Sequence, residues 1–376
     1  MKIAIDGRFY GLENAGLGRY TIGLVENLKT LDQKNSYTIL LTEKYFQKLS
    51  FPKNWKKIAV SFRHYSLKEQ LELPKIINQE NPDLVHFLHF NIPITYKGKF
   101  VVTIHDLLMH RQKGKEATTL PFLAYKIKRL AYHLVFKKAV FGSRKIIVPS
   151  NFVKEDLVNY YRIPQKKIEV VYEGVDHFLR SVDAGKKVLN KYQINLPYFI
   201  YSGNAYPHKN LKRAVEAIYF LNKASSKRFL FVIVSSRNVF VKRLERMIKS
   251  IGGEKYVRLI GFVPDNDLVY LYKNSLGFLY PSLSEGFGLP GLEAMAAGTL
   301  VLVSDIPVFH EIYENQAIYF NPYDFSAIER EMRNVVEMDP KKRQKLISSG
   351  QKFVKRYSWI KMAKKTLKIY KDVLEN

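Results

Sequence analysis

The sequence predicts an α/β protein in which two doubly wound parallel sheets follow one another along the chain. Short runs of Val, Ile and Leu alternate with segments of helical periodicity over most of the 376 residues. Continuous apolar runs, in place of strict apolar–polar alternation, are typical of strands covered by helices on both faces. The pattern stops in the polar, lysine-rich stretch 181–197 and then starts again. Two domains are therefore expected.

The order of the elements follows from these runs. In the first series we expect a helix over residues 18–31 and strands at residues 2–7, 36–42, 57–62, 83–88, 100–106 and 144–150. In the second series we expect strands at residues 198–203, 228–236, 257–263, 276–282 and 300–305. We accordingly assign residues 1–190 to an N-terminal domain and residues 191–358 to a C-terminal domain.

The C-terminal segment 359–376 carries apolar residues at spacings of three and four, with lysines between them. This pattern predicts an amphipathic helix. We expect it to pack back on the N-terminal domain, and membrane contact through its lysines is the alternative.

Composition limits the classes of function and location. The chain has no cysteine, which excludes disulfides and cysteine-based metal or nucleophile sites and is compatible with a reducing compartment. No apolar run approaches the roughly 18 residues that span a bilayer. The first residues, "MKIAIDGRFYG", lack the apolar core of a signal peptide. We therefore expect a cytoplasmic protein. Peripheral attachment to the inner face of the cell membrane is compatible with that expectation.

A net charge of +27 favours anionic partners. The charge is uneven, because residues 101–150 hold ten basic and two acidic side chains while residues 251–350 hold nine and thirteen. The segment 111–138 interleaves aromatic residues with Lys and Arg. It is either the solvated face of a helix or a surface that docks on an anionic membrane. Nucleic acid binding is a weaker interpretation of the same pattern.

The stretch "EGFGLPGLE" (285–293) follows an expected strand and begins an expected helix. Pro290 suits a first helical turn, and the glycines let a ligand approach the backbone closely. The N–H groups at a helix start form an anion site. Glu285 and Glu293 flank that site, and carboxylates bind neutral hydroxyls instead of phosphate. A diphosphate with a sugar on each side, as in a nucleotide sugar, satisfies both features. The alternative is that the glutamates only favour the helix N-terminus electrostatically.

A cation for the diphosphate comes from "SGNAYPHKN" (202–210), which follows the first strand of the second series. Lys209 lies just before a helix, where its ammonium can act as a point charge on phosphates.

Taken together, these motifs resemble the retaining glycosyltransferases of family 4, which have the GT-B fold and include bacterial mannosyltransferases. The resemblance covers essentially the whole chain. It rests on "EGFGLPGLE" with the following "AMAAGTLVLVSD", and on "GNAYPHKNL", "IIVPSNFVKEDL" and "YSWIKMA". It implies two Rossmann-like domains facing a central cleft. The donor would bind in the C-terminal domain, and the acceptor mainly against the N-terminal one.

The resemblance also implies roles for individual residues. Glu285 would contact the donor sugar and stabilise developing charge, and His105, at the end of "VVTIHD", would lie near the same sugar. These two are the catalytic candidates. Glu293 would hold the ribose diol and Lys209 the phosphates. The other donor-binding candidates are Gly16, Gly18, Asn204, Phe262, Val263, Gly286, Phe287, Gly288 and Leu289.

One departure from the family pattern concerns the phosphate contacts. The family often has an arginine a few residues before the lysine, and here Asn204 occupies the nearest position while His208 precedes Lys209. A neutral His208 would leave one cationic contact instead of two. His86 and His89 are interpreted as core residues, and Asp106 as a residue that holds a loop or orients His105.

The resemblance predicts a metal-independent, retaining hexosyltransferase. The first expectation is mannose transfer from GDP-mannose to a glycan or lipid-linked acceptor, in synthesis of a surface polysaccharide or glycolipid. No cofactor is expected, because the nucleotide sugar is a substrate. No metal is expected, because the resemblance implies metal-independent chemistry and we identify no Asp-x-Asp string of metal-binding type. Retention allows either a carboxylate nucleophile or a same-face reaction in which the departing diphosphate takes the acceptor's proton, and the resemblance favours the second. The alternatives are a nucleotide-sugar epimerase of the same fold and a non-catalytic relative that binds membrane or nucleic acid.

Overall fold

The computed structural model describes residues 1–111, 122–176, 178, 185, 187–236 and 239–375. These residues form two compact units, one from Met1–Gly174 with Ser358–Asn376 and one from Val175–Tyr357. The predicted change of domain at residues 190 and 191 lies in a stretch that is partly outside the described residues, namely 181–184 and 186. That boundary stays a prediction.

The first unit contains a seven-stranded sheet in the order β3-β2-β1-β4-β5-β6-β7. Its strands are β1 (Lys2–Asp6), β2 (Ser36–Thr42), β3 (Trp55–Val60), β4 (Leu84–Phe87), β5 (Phe100–Thr103), β6 (Lys145–Val148) and β7 (Ile168–Val170). Its first helices are α1 (Ala15–Leu31), α2 (Glu43–Lys48), α3 (Leu67–Glu80), α4 (Leu108–Arg111), α5 (Phe122–Gly142) and α6 (Asn151–Tyr161).

The second unit contains a six-stranded sheet in the order β10-β9-β8-β11-β12-β13. Its strands are β8 (Tyr198–Ser202), β9 (Leu230–Val234), β10 (Val257–Leu259), β11 (Gly277–Tyr280), β12 (Val301–Ser304) and β13 (Ile318–Phe320). Its helices are α7 (Lys187–Lys191), α8 (Leu211–Ala224), α9 (Val239–Ser250), α10 (Asp265–Lys273), α11 (Leu289–Ala296), α12 (Pro307–Tyr313), α13 (Phe325–Val336) and α14 (Pro340–Phe353). The last helix, α15 (Trp359–Glu375), belongs to the first unit.

Every strand pairing among the described residues is parallel, which confirms the predicted fold class. The sequence pattern missed two strands, β7 and β13. Each has three residues, and only one residue of each is fully buried. Both are edge strands, so they lack the continuous apolar run that identifies a strand covered on both faces.

Alternate residues of the first sheet face two different helical layers. Val85 and Phe87 of β4 join the apolar core that α3, α5 and α6 also line. Between them in the chain, His86 faces the other side, where its Nδ1 lies 2.6 Å from the Tyr370 hydroxyl of α15. Burial lowers the pKa of His86 to about 3, so the ring is neutral at pH 7. The interpretation of His86 as a core residue agrees with these contacts.

Helix α15 packs against α1 at a glycine, as its amphipathic pattern predicts. A Cβ on Gly23 would lie 2.3 Å from the Trp359 ring, so the indole rests directly on the α1 backbone.

Among the described residues, no helix has both the length and the apolar character that crossing a bilayer requires.

We expect Gly23→Ala to destabilise the protein by about 1–3 kcal/mol, because a methyl group has no room beside the indole. Urea unfolding measures the change. Gly16→Ala is the matched control, since Gly16 lies in the same helix and a Cβ there would meet nothing within 4 Å. Equal losses in the two variants would contradict the packing account.

Candidate functional site

Two loops meet at the carboxyl edge of the second sheet. One follows β8 and the other follows β11, and these strands are parallel neighbours in the sheet. Carboxyl ends of adjacent parallel strands lie side by side, which is where ligands bind in sheets of this type. The backbone N–H of Leu283 donates to the His208 carbonyl at 2.8 Å and joins the loops directly.

The two loops bring Lys209 and Glu285 into contact. The Lys209 ammonium donates to Glu285 Oε1 at 2.5 Å, with side-chain exposures of 12% and 9%. The ammonium also lies 5.7 Å from the centre of the Tyr280 ring. The sequence predicted a phosphate-binding cation and a sugar-binding carboxylate at these positions, but it did not predict that they form an ion pair.

The ion pair determines the charge state of the site. Burial alone would raise the pKa of Glu285, but the adjacent Lys209 ammonium outweighs it and holds the pKa below its ordinary value. Burial, together with the same ammonium, lowers the pKa of His208 to about 4. His208 is therefore neutral at pH 7, and Lys209 is the cation of this loop.

Asn210 holds the end of the Lys209 loop, and the sequence analysis missed it. It adopts a left-handed conformation with φ 57°, directly before α8. Its side-chain amide donates to the carbonyls of Pro281 at 3.0 Å and Pro322 at 2.8 Å. An Asn beside a predicted phosphate ligand, in a turn before a helix, was the available signal.

The glycines before and within α11 have a structural cause besides ligand access. Gly288 is the N-cap of α11 with φ 98°, a conformation that favours glycine. The buried Tyr313 hydroxyl donates to its carbonyl. A Cβ on Gly291 would lie 2.3 Å from the same hydroxyl. Tyr313 therefore packs against the start of α11 and holds it in place. The sequence motif itself does not reveal this contact.

The other donor-binding candidates of the second unit lie around and within α11 and in the loops after β8 and β10. Gly286 and Phe287 precede Gly288 and Leu289 at the start of α11, and the Glu293 side chain is buried within that helix. Asn204 follows β8, and its carbonyl accepts the Tyr201 hydroxyl at 2.7 Å.

Phe262 and Val263 follow β10, which is separated from β8 by β9. Phe262 is 57% exposed and Val263 is buried. An Asp-x-Asp string, residues 265–267, follows Val263 after one residue and begins α10. Its Asp267 accepts hydrogen bonds from Lys191 at 2.6 Å and Tyr192 at 2.9 Å, which tie α7 to α10.

The first unit holds the remaining candidates. Gly16 is exposed in the first turn of α1. Gly18 is buried, and a Cβ there would lie 1.8 Å from the Gly11 carbonyl oxygen, so the start of α1 packs against the preceding loop.

His105 follows β5 and lies between two acceptors. Its Nε2 is 3.0 Å from the Leu88 carbonyl, and its Nδ1 is 3.5 Å from Glu173 Oε1. The Tyr20 ring meets it edge-on at 4.7 Å. Glu173 is buried and was missed by the sequence analysis, because 68 residues separate it from His105 and no local pattern links them.

The neighbouring His89 and Asp106 have local roles. Burial lowers the pKa of His89 well below its ordinary value, and its ring contacts those of Phe9 and Phe90. Asp106 accepts the backbone N–H of Leu108 at 2.9 Å and so holds the loop into α4.

Two protein-family models match the chain. The model described as Glycosyltransferase Family 4 matches residues 16–177, and the model described as Glycosyl transferases group 1 matches residues 186–353.

Curated relatives of moderate identity carry related names. The chain is 29% identical to the O-antigen chain mannosyltransferase RfbU of Salmonella typhimurium, over 78% of this chain and 74% of that protein. It is 28% identical to O-antigen chain mannosyltransferase B of Escherichia coli, over 61% of each chain. It is 25% identical to the GDP-mannose:cellobiosyl-diphosphopolyprenol alpha-mannosyltransferase of Komagataeibacter xylinus, over 57% of this chain and 58% of that one.

Solved structures show the same fold. A glycosyltransferase from Rickettsia africae superposes with a TM-score of 0.72 at 20% identity, covering 100% of this chain and 98% of that one. Anabaena Alr3699/HepE, solved in complex with UDP-glucose, superposes with a TM-score of 0.75 at 16% identity, covering 99% and 100%.

The buried ion pair gives a direct test of the site. We expect Lys209→Met to cost about 3–5 kcal/mol of unfolding free energy at pH 7, because it leaves a buried carboxylate uncompensated. Adding Glu285→Gln should recover most of that loss. Urea unfolding of the two single variants and the double variant measures the coupling.

The pH dependence has a definite sign. The lowered pKa of Glu285 gives the wild type stability that is present above the unfolded pKa and lost as pH falls through the folded pKa. The penalty of Lys209→Met should therefore shrink on acidification. Additive single effects, or a penalty independent of pH, would contradict the ion-pair account.

Proposed function

Since the chain belongs to the family 4, group 1 glycosyltransferases, we propose that it transfers mannose from GDP-mannose with retention of configuration. The acceptor is a glycan or a lipid-linked glycan, and the product is part of a surface polysaccharide. The observation that carries this proposal is the contact between Lys209 and Glu285 beside the start of α11. It joins a cation for a diphosphate and a carboxylate for sugar hydroxyls at one helix N-terminus.

The diphosphate and the sugar need opposite partners, and the proposed site has both. Lys209 and the backbone amides around Gly288 suit the diphosphate, because an ammonium and a helix N-terminus both favour negative charge. Glu285 suits the hydroxyls of the sugar. When the donor binds, its phosphates compete with Glu285 for Lys209. This competition frees the carboxylate to accept from a sugar hydroxyl.

Charge development explains how these residues accelerate transfer. The bond between the anomeric carbon and the β-phosphate oxygen breaks, and its electron pair leaves with GDP. The acceptor hydroxyl attacks the same face of the sugar, and its proton passes to the departing phosphate oxygen. Lys209 stabilises the negative charge on the diphosphate, while Glu285 stabilises positive charge on the sugar. No metal and no cofactor enter this scheme.

The names of the relatives support the donor and the pathway. The three relatives reported above are all named as mannosyltransferases, and one name specifies GDP-mannose and a diphosphopolyprenol acceptor. The HepE complex contains UDP-glucose, but its low identity to this chain makes it a guide to the fold alone. The binding test must therefore distinguish a UDP-sugar donor from a GDP-sugar donor.

The proposal extends to the other predicted residues. Glu293 holds the ribose, and Asn204, Phe262 and Val263 contact the nucleotide. In the first unit, Gly16, Gly18 and His105 contact the donor, and the acceptor binds mainly to that unit. If the acceptor is lipid-linked, the protein works at the cytoplasmic face of a membrane, and the protein attaches to that membrane peripherally.

A thermal-shift screen of GDP, UDP, ADP and TDP with their sugars tests the donor. We expect GDP and GDP-mannose to stabilise the wild type, by roughly 2.7 kcal/mol at 100 times Kd. The shift should shrink in Glu293→Ala, measured against that variant's own melting temperature. Stabilisation by UDP alone would overturn the choice of GDP, and stabilisation by no nucleotide would overturn the proposed function.

Kinetics tests the role of Glu285. We expect Glu285→Gln to lower kcat about 100- to 1,000-fold, as removal of one transition-state contact does in other enzymes. Glu337→Gln, at the end of α13, is the control and should keep wild-type kcat. Chelation by EDTA should leave the rate unchanged, and NMR should show the donor's anomeric configuration in the product. Inversion, or loss of activity in EDTA, would contradict the proposed mechanism.

A further inference from the structure

The outer face of α5 carries a continuous row of exposed apolar side chains. Their exposed fractions lie between 52% and 70%, and they are Leu123, Ile127, Leu130, Leu134 and Phe141. The spacings are four, three, four and seven residues. These add to 18 residues, which is five turns of about 3.6 residues. The row therefore runs straight along the helix.

The buried core of the first unit is built in part from the other side of α5. The opposite side of α5 supplies the core with five buried residues: Tyr132, Val135, Phe136, Ala139 and Val140. Single exposed apolar residues are ordinary on protein surfaces, but a contiguous row marks an interaction surface.

Basic residues accompany the apolar row. The 21 residues of α5 include no Asp or Glu, and they include Lys126, Lys128, Arg129, Lys137 and Lys138. On a helical projection, Lys126, Lys137 and Lys138 lie beside the row. An apolar stripe flanked by lysines is the arrangement of helices that lie in the interface of an anionic bilayer.

A basic cavity adjoins the C-terminal end of the row. Its volume is about 600 Å3, and Phe141, the last residue of the row, lines it. The cationic lining residues come from three separate segments of the chain: Lys97, Lys99, Arg144, Lys145, Lys166 and Lys167. No acidic residue is among the lining residues that the structure describes.

Among the residues that the structure describes, one of these cations forms an ion pair with a carboxylate. Lys145 donates to Glu169 at 2.9 Å, and Lys167 donates to the carbonyl of Phe141 at 2.9 Å. Burial, with Arg144 nearby, lowers the pKa of Lys167. Cations gathered around one cavity repel each other, and a multivalent anion in the cavity removes that repulsion.

We propose that the outer face of α5 docks on an anionic membrane and that the basic cavity receives the phosphate of a lipid headgroup. Four of the five residues of the apolar row are aliphatic, which distinguishes this partner from nucleic acid, whose bases stack on aromatic side chains. The inference rests on the proposed function in one respect, because a lipid-linked acceptor gives the docking its purpose.

The position of the cavity agrees with docking during catalysis. Its lining residues lie where β5 and β6 begin, at the amino edge of the first sheet. His105 follows the carboxyl end of β5, at the opposite edge. A lipid headgroup in the cavity therefore leaves the edge that carries His105 open.

Cosedimentation with vesicles tests the proposal. We expect the wild type to bind phosphatidylcholine vesicles that contain phosphatidylglycerol, and not vesicles of phosphatidylcholine alone. The pair Lys99→Gln with Arg144→Gln should weaken binding about 30-fold, since each basic residue near a bilayer contributes about 1 kcal/mol. The pair Lys341→Gln with Lys345→Gln removes the same charge from exposed positions of α14 and should weaken binding less than threefold.

The apolar row has its own matched pair. Leu130→Ser should weaken binding to the same vesicles at least tenfold, since burying a Leu side chain contributes about 1.5–3 kcal/mol. Ile360→Ser, an exposed position on α15 in the opposite layer, should leave binding unchanged. Melting temperatures of all variants check that each one is folded.

Several outcomes would overturn the inference. These are equal losses in the two charge pairs, vesicle binding that does not depend on phosphatidylglycerol, and RNA binding that requires Lys99 and Arg144 while vesicles are not bound. Stabilisation by inorganic pyrophosphate without vesicle binding would also overturn it. The GDP thermal shift separates the two proposals, because it tests the donor site and should be unchanged in Lys99→Gln with Arg144→Gln.

Discussion

The ion pair between Lys209 and Glu285 is the interaction on which the candidate site depends. Moving two charges out of water is costly, and their attraction offsets that cost only when the geometry is well defined. Here the backbone bond from Leu283 to the His208 carbonyl joins the two loops. The Asn210 amide bonds then hold the lysine loop against the loop after β11. The sheet therefore positions both charges before any ligand arrives.

The same pair provides the chemistry that a nucleotide sugar requires. A diphosphate needs a cation and amide donors, whereas the hydroxyls of a sugar are well served by a carboxylate. In the protein alone, the two groups neutralise each other, so neither is left as an isolated buried charge. In the proposed mechanism, a bound donor replaces that single contact with two, one to each group. The Tyr313 hydroxyl donates to the Gly288 carbonyl and so holds the start of α11 in place for this proposed exchange.

The uneven charge of the chain now has a structural interpretation. Residues 251–350, which include Glu285, hold more acidic than basic side chains, and the cation of the candidate site is a single, largely buried lysine, Lys209. Much of the basic excess of the first half lies on α5 and around the cavity at its end. The proposed lipid-linked acceptor and the proposed soluble donor call for different surfaces. On these proposals, the division allows a membrane to attract one surface without competing for the donor site.

The sequence by itself determined what local patterns encode. Continuous apolar runs predicted both parallel sheets, and "EGFGLPGLE" and "SGNAYPHKN" predicted where the candidate site residues lie relative to the strands. The apolar runs did not predict strands β7 and β13, because these short edge strands bury too few residues to produce such a run. Tertiary structure alone decided the contacts between distant residues: Lys209 with Glu285, 76 residues apart, His105 with Glu173, and the cavity built from three segments. The reason is physical, since periodicity reports which face of an element is buried but not which side chain lies opposite it.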